Sequence, residues 1–513
     1  MRKIKIKRSR RFKSIKFFPF RLKKKHKDSK KERISVDNIK NAFSKSEDAI
    51  IKDYSLGKHN EPILFVYCEG LTDSKQINQY LLHNIERILD ESQNDKELFS
   101  NLEGRLPVRA LKKDESMKDV IFNVFSGELV LYFKKYNRTY FLSIVEEPNR
   151  TPDESNTEIA LRGSKDGFTE DLSTNVALVR KRLRTNSLCN ETLFVGKRSK
   201  SKVALLYLDD VINLDIVDEV RKRINELDID VLDSTAQLEE LLSDSPLALF
   251  PLCEFVGRPD YVVDCLTRGR FAILVSGSPN AVIAPVNFTT LLRTPEDIHA
   301  PYHFVSLEVM LRFLGLVLAI FAPAFYVAIT TFHVEQVPFQ LLTTISNGRF
   351  GLPFPIPVEA FIMLLFLELF REAVVRLAKP VGQSVALVGG LIIGDAAISG
   401  GLASPTLLVV VALSIVGTFT LVNQSLNGSV TIFRVFSLLL SSVLGMFGFL
   451  ISVFFTLYYL ASLKSFNISY LSTGGATNLR EFLATFGRLP WKYMKKRPSF
   501  MRTTDETRKG NSS

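Results

Sequence analysis

Apolar residues are arranged in two different ways along this chain. Before about residue 300 they come in short runs divided by charges, the pattern of small strands and amphipathic helices. From Phe304 to Leu463 they form long stretches with scattered charges. A helix needs about 20 mostly apolar residues to cross a bilayer. Residues 304–331 and 430–463 exceed that length, and 404–422 just reaches it. Residues 358–377 also reach it, with Glu368, Arg371, Glu372 and Arg376 gathered along one side. Four helical spans are therefore expected. Ser384–Gly401 is too short and too rich in glycine for another span and reads as a re-entrant segment. Such backbone is tolerable only where it is buried in protein or lines water.

The polar half reads as α/β. Ile63–Tyr67 has the pattern of a buried strand, and a helix follows over Ser74–Leu89. Glu128–Phe133 and Tyr140–Val145 suit a hairpin. Thr169 is placed to cap a helix with Leu172, Val176, Val179 and Leu183 on one face. Arg180, Lys181, Arg182 and Arg184 load its last turns, where cations suit the helix dipole. Beyond Glu191, strands at Val203–Leu208, Ile229–Leu232, Phe271–Val275 and Ala281–Val286 alternate with helices at Leu214–Leu227, Gln237–Leu242 and Asp260–Leu266. That alternation predicts a mixed or parallel sheet. Two small α/β subdomains are expected, 46–186 and 187–300, ahead of a helical membrane domain at 301–465.

Charge sharpens this division. The net charge is +12, yet between Pro301 and Leu463 six Lys/Arg balance six Asp/Glu. Met1–Arg33 holds 17 Lys/Arg against Asp28 and Glu32, so residues 1–45 read as a disordered basic arm. Residues 466–513 read as a basic tail. By the positive-inside rule both ends belong on the cytoplasmic side, which demands an even number of crossings. The apolar run Phe17–Phe20 is too short for a signal peptide. Cys68, Cys189, Cys253 and Cys265 lie in the polar half without C-x-x-C spacing and read as free thiols. Anionic lipid is the nearest partner for the arm, and no nucleic-acid module is present.

Two segments carry candidate chemistry. Gly389-Gly390, Gly394-Asp395 and Gly400-Gly401 let the chain bend or let backbones approach closely, with a carboxylate in the middle. This segment is either a pore or gate with Asp395 facing water, or tight packing with Asp395 paired to Arg376 or Arg434. The second runs from Glu158 to Asp171. There Arg162, Asp166, Glu170 and Asp171 surround Gly163 and Gly167 ahead of the capped helix. It is a partner or junction site, or simply a structural turn with Arg162 bridging Glu170 or Asp171. Glu308 and Arg312 are spaced to pair at the start of the first span. No nucleotide-binding, serine-hydrolase or zinc-protease motif is present, and the six histidines lack metal-ligand spacing. An enzyme, a cofactor and a metal are not expected.

Residues 157–186, TEIALRGSKDGFTEDLSTNVALVRKRLRTN, resemble the signature stretch of the A subunits of GerA-type spore germinant receptors. Glu61–Asp73, Phe255–Asp264, Ser278–Phe288, Thr294–Asp297, Phe354–Leu377, Gly382–Ser384 and Leu489–Trp491 are similar to further family segments in the same order. The resemblance implies a cytoplasmic N-terminal domain and a multi-pass domain in the inner membrane of a bacterial spore. It also implies a transporter-like B subunit that binds nutrient, a lipoprotein C subunit, and a homo-oligomeric, nutrient-gated cation channel. Gly389, Gly390, Gly394 and Asp395 would then line or flex the gate. The alternative is a membrane-anchored scaffold that recruits the other subunits without conducting. The chain departs from the family at Gly163-Ser164, where Gly-Pro is usual, and at Gly394-Asp395, where Gly-Gln is common.

Overall fold

The computed structural model describes residues 34–508 apart from 93, 113–115, 146–162, 378–388, 391, 424, 472–486, 489, 491–493 and 495. The polar half holds two five-stranded sheets. The first contains β1 (Ala49–Leu56), β2 (Glu61–Cys68), β3 (Val108–Ala110), β4 (Glu128–Phe133) and β5 (Arg138–Ser143), in the order β1-β2-β4-β5-β3. The second contains β6 (Leu188–Val195), β7 (Ser201–Leu208), β8 (Glu254–Val256), β9 (Phe271–Val275) and β10 (Ala281–Ala284), in the order β6-β7-β9-β10-β8. Counted from each first strand, the two orders are the same.

The helices repeat as well. In the first unit α1 (Val36–Phe43) precedes β1, α2 (Leu82–Glu91) and α3 (Asp95–Arg105) fall between β2 and β3, and α4 (Met117–Val124) precedes β4. In the second, α5 (Leu172–Arg182), α6 (Leu214–Glu226), α7 (Thr235–Leu242) and α8 (Pro259–Thr267) hold the same four places. The polar half is one supersecondary unit built twice.

Helices cover both faces of each sheet. Ile63, Phe65 and Tyr67 of β2 pack under α2 and α3, while Leu64, Val66 and Cys68 pack under α1 and α4. In the second unit Val203, Leu205 and Tyr207 face α6 and α7, and Ala204, Leu206 and Leu208 face α5 and α8. Double coverage explains the unbroken apolar runs in β2 and β7. Such runs usually signal parallel strands, but every strand pairing between β1 and β10 is antiparallel, so the expected mixed or parallel sheet is not found. Residues 229–232 are not a strand. Their carbonyls instead accept from the β6–β7 turn, Ile229 from Lys197 N at 2.9 Å and Asp230 from Arg198 N at 2.8 Å. Helix α1 occupies the end of the segment expected to be a disordered arm, held by buried Ile39 and Phe43. Helix α5 precedes Ser187 yet belongs to the core of the second sheet.

The apolar block begins with α9 (Tyr302–Phe332), followed by α10 (Phe339–Gly348), α11 (Ile356–Val375), α12 (392–399), α13 (Pro405–Phe419) and α14 (Ser425–Ser462). Helices α9 and α14 are long and apolar enough to cross a membrane. The other two expected spans fall short on one count each. Helix α11 has 20 residues but carries Glu359, Glu368, Arg371 and Glu372, and α13 has only 15 residues. Where a non-helical re-entrant segment was expected, residues 389–390 and 392–399 are helical, and a turn at Gly400-Gly401 follows. The remainder, 384–388 and 391, lies outside the described residues.

Helix α14 is not one straight rod. Gly445 has φ +60 and ψ −135, and the chain reverses there. Phe433 and Tyr459 are 5.6 Å apart, Phe436 and Phe455 are 5.0 Å apart, and the Ser437 and Ser452 hydroxyls bond at 2.7 Å. In a straight helix Phe433 and Tyr459 would be about 39 Å apart. The single span expected over 430–463 is therefore a hairpin of two antiparallel arms. Its tip packs on Phe332 at the end of α9, where a Cβ on Gly445 would lie 2.9 Å from Phe332. Its feet meet at Leu249, whose N–H donates to Tyr459 Oη at 2.8 Å and whose carbonyl accepts from Ser429. The block thus starts and ends against the second α/β unit.

Replacing Gly445 by Val puts a branched side chain in a conformation open essentially to glycine alone, a cost of about 1–3 kcal/mol before the clash with Phe332. A lower melting temperature and a smaller folded yield in detergent are expected, whereas Gly428→Ala, with open space around it, leaves both unchanged.

Candidate functional site

A buried arginine stands where the two α/β units meet. Arg180 on α5 is fully buried. Its Nε and Nη2 donate to the two oxygens of Asp48 at 2.8 Å each, and its Nη1 donates to the carbonyls of Thr185 and Leu188 at 3.0 Å. The guanidinium also lies 4.1 Å over the ring of Phe125. A planar fork with five donors suits this arrangement, and an ammonium would not. Around it the chains bond directly, Glu47 N to the Asn190 carbonyl and Asn190 N to the Lys45 carbonyl, both at 3.2 Å. The sequence marked Arg180 only as a cation suited to a helix end. A signal was present, since Arg180 lies on the apolar side of α5 beside Val176 and Val179.

The residues expected at this junction stand elsewhere. Arg162 lies outside the described residues. Asp166 is exposed and pairs with Arg182 at 3.1 Å. Glu170 is exposed, and its carbonyl accepts from Gly277 N at 2.8 Å. Asp171 is the N-cap of α5, accepting from Thr174 N at 2.8 Å. Thr169, expected to be that cap, is instead held by Asn175, which accepts from Thr169 N at 2.7 Å. Gly163 has φ +109, and a Cβ there would run into His299, so the start of this stretch lies against the end of the second unit.

His299 belongs to a charged cluster at the foot of α9. Its Nε2 is 3.1 Å from Asp260 Oδ2, and Asp260 also takes two bonds from Arg258, at 3.1 and 2.7 Å. Burial alone would raise the Asp260 pKa, but the bonds from Arg258 and His299 outweigh it and hold the carboxyl below its usual value. Arg258 also pairs with Glu296. One residue on, Asp297 is the main partner of Arg312, which reaches its carboxylate at 2.9 Å. Glu308 is a secondary partner at 3.2 Å, so the expected Glu308–Arg312 pair exists beside the closer pair with Asp297. Below these ions, Phe250, Leu252, Val286 and Phe288 of the second unit share a core with Leu316 and Ile320 of α9 and Leu426, Val430, Phe433 and Leu460 of α14.

Gly389 and Gly390 precede α12, Gly394 lies within it, and Gly400 and Gly401 follow it. A Cβ on Gly389 would meet the Phe370 ring at 2.6 Å, Gly390 has open space, and Gly394 lies near Leu408. Asp395 is exposed on the same helical face as Ile392 and Ser399. Neither arginine considered as its partner pairs with it. Arg376 binds Glu372 at 2.8 Å, and Arg434 binds Glu368 at 3.2 Å. Arg434 is buried between helices and also donates to the Ala319 carbonyl at 2.7 Å and to Thr418. Glu359 is fully buried, accepts from Ser404 N at 3.2 Å and pairs with Arg349 at 3.0 Å. These two buried ion sets on α11 were not anticipated as sites. For Glu368 the clue was charges gathered along one side of an apolar helix, whereas Glu359 lies on the opposite side and stood alone in the pattern.

Replacing Arg180 by Met leaves Asp48 buried without its counter-ion, a loss of about 3–5 kcal/mol. Thermal unfolding of the purified chain should show it. Arg180→Met combined with Asp48→Asn should recover part of the loss, because no buried charge then remains unpaired.

Residues 37–500 match the family model described as Bacillus/Clostridium GerA spore germination protein. The chain is 42% identical over 447 residues to spore germination protein XA of Bacillus anthracis, covering 87% of this chain and 91% of that protein. It is 31% identical over 478 residues to spore germination protein KA of Bacillus subtilis, covering 93% of this chain and 88% of that protein. Among solved structures, it is similar to the N-terminal domain of the A subunit of the Bacillus megaterium spore germinant receptor GerK3, with 29% identity and a TM-score of 0.38 over 49% of this chain and 94% of that one. With the family model covering nearly the whole chain and relatives aligned through both halves, this chain belongs to the GerA spore germination protein family.

Proposed function

We propose that this chain is the membrane subunit of a nutrient germinant receptor and that copies of it assemble into a nutrient-gated cation channel. The observation that carries this reading is the exposed face of α12. Ile392, Asp395 and Ser399 lie one turn apart along it, within an apolar block. A carboxylate facing lipid costs about 2.5–3.5 kcal/mol near the bilayer centre. A neighbouring copy or a column of water removes that cost. In this reading Asp395 and Ser399 face the conducting path, and Gly389, Gly390 and Gly394 flex its wall. The buried pairs Glu368–Arg434 and Glu359–Arg349 brace the helices behind it.

The chain would sit in the inner membrane of a bacterial spore as a multi-pass protein, with the α/β units and the tail on the cytoplasmic side. Its similarity to spore germination proteins XA and KA supports a role in germination. The partners would be a transporter-like B subunit that binds nutrient and a lipoprotein C subunit. Coupling would run through the core shared by Phe250, Phe288, Leu316 and Phe433. A second role, as a scaffold that recruits those subunits without conducting, is favoured by the exposed acidic positions Asp166, Glu170 and Asp171 beside α5.

Asp395→Asn separates the two. Cation release from nutrient-treated spores should slow several-fold or change its ion preference, with receptor levels unchanged. Release identical to wild type takes Asp395 off any conducting path and leaves the scaffold. A channel also requires a closed ring of copies in native-state mass measurements, which a scaffold does not.

A further inference from the structure

One turn of the second α/β unit carries apolar side chains outward. Between α7 and β8 the Ala248 N–H donates to the Ser245 carbonyl at 3.1 Å, closing a turn with Pro246 and Leu247 in the middle. Pro246 presets the backbone for its position. Leu247 at the apex is 87% exposed, and Leu249 is exposed beside it. The alternate residues point the other way, with Phe250 buried and Ala248 packed against the core that the second unit shares with α9 and α14. Turn tips ordinarily carry polar residues, so a leucine here calls for a cover.

The turn is fixed in place. Ser243 Oγ donates to the Ser245 carbonyl at 3.0 Å and accepts from Ser245 N at 3.4 Å. Asp244 accepts from Asn467 N at 3.2 Å and pairs with Arg223 at 2.5 Å. Its place is beside α14, because the Leu249 N–H donates to Tyr459 Oη and the Leu249 carbonyl accepts from Ser429. Ser429 and Tyr459 each lie about one turn inside an end of α14. The turn therefore reaches past the feet of the hairpin and runs alongside its apolar arms. Near this level α14 exposes Tyr458, and Lys464 is exposed just beyond its end. Tyrosine and lysine at the end of an apolar helix mark a membrane–water boundary.

We propose that residues 245–249 dip into the bilayer, with Leu247 and Leu249 at the headgroup–acyl boundary of the leaflet where α14 begins and ends. The second α/β unit then rests on that leaflet as well as being joined to the apolar block through α9. Lipid suits this surface better than a protein partner does. A specific protein interface needs about 1,000 Å², far more than two leucines supply. A leaflet asks only for apolar area at the right depth. Insertion here rests on α14 being embedded in a membrane, and not on whether the chain conducts ions.

The test uses the full chain in phosphatidylcholine nanodiscs, with bimane on a single introduced thiol. The four native cysteines are buried, and the unsubstituted chain gives the background. Leu247→Cys probes the turn. Phe454→Cys, at an exposed position of α14, is the lipid reference, and Lys197→Cys, on the exposed β6–β7 turn, is the water reference. Phospholipid brominated near the headgroup end of its acyl chains should quench the Leu247 and Phe454 probes and spare the Lys197 probe. Aqueous iodide should quench the Lys197 probe far more than the other two. A Leu247 probe that lipid quenches no more than the Lys197 probe, while the Phe454 probe is quenched, overturns the proposal. A Leu247 probe that neither quencher reaches also overturns it, because protein then covers the turn. A Phe454 probe spared by lipid overturns the membrane placement of α14 and the insertion with it. Should Leu247→Cys fold poorly, Leu249→Cys is labelled in its place and read by the same outcomes.

Discussion

The structure depends on apolar packing between its two halves. Phe250, Leu252, Val286 and Phe288 leave the second α/β unit and are buried among Leu316 and Ile320 of α9 and Leu426, Val430 and Phe433 of α14. Side chains in such a core have few alternative arrangements, so a shift on one side must be met on the other. Tyr470 extends the same core, with its hydroxyl on the Pro251 carbonyl and its own carbonyl accepting from Phe288 N. The segment that leaves the block is thereby held where the block begins. A soluble unit on a loose linker could not transmit a displacement in this way.

Ion pairs give that contact its orientation. Arg258 and Asp260 hold the loop before α9, Asp297 holds Arg312 on α9, and Arg180 with Asp48 sets one α/β unit against the other. Each is largely or fully removed from water, so each is costly to break and has few competing geometries. The C-terminal segment joins the same frame through Arg497 on the Thr267 carbonyl and Thr504 on Val211 and Ile212. It was expected to be a basic tail, yet residues 496–508 lie along the second unit.

Local sequence revealed the interior of each sheet and little of its edges. Strands β2, β4, β7, β9 and β10 are buried on both faces, and their continuous apolar runs identify them. Strand β1, at an edge, reads AIIKDYSL with its polar residues exposed, and β3 and β8 have three residues each, so none of the three stands out as a pattern. Helix α3 was missed for a similar reason, because only Leu98, Phe99 and Leu102 of its eleven residues are buried. The duplication of the two units is hidden too. It lies in the order of strands and helices, while the residues that fill each core differ.

The sequence by itself determined the division into a polar α/β half and an apolar helical half, most buried strands, and the family, through an ordered series of matching segments. These follow from local composition and spacing, which a chain carries whether or not it is folded. Tertiary structure decided what depends on residues far apart in the chain. It paired every strand of the two sheets antiparallel, folded residues 425–462 into a hairpin at Gly445, and gave Arg180 to Asp48 and Arg434 to Glu368. A charge in an apolar stretch shows only that a partner is needed. Which partner it finds is set by the helices and sheets that bring distant side chains within bonding distance.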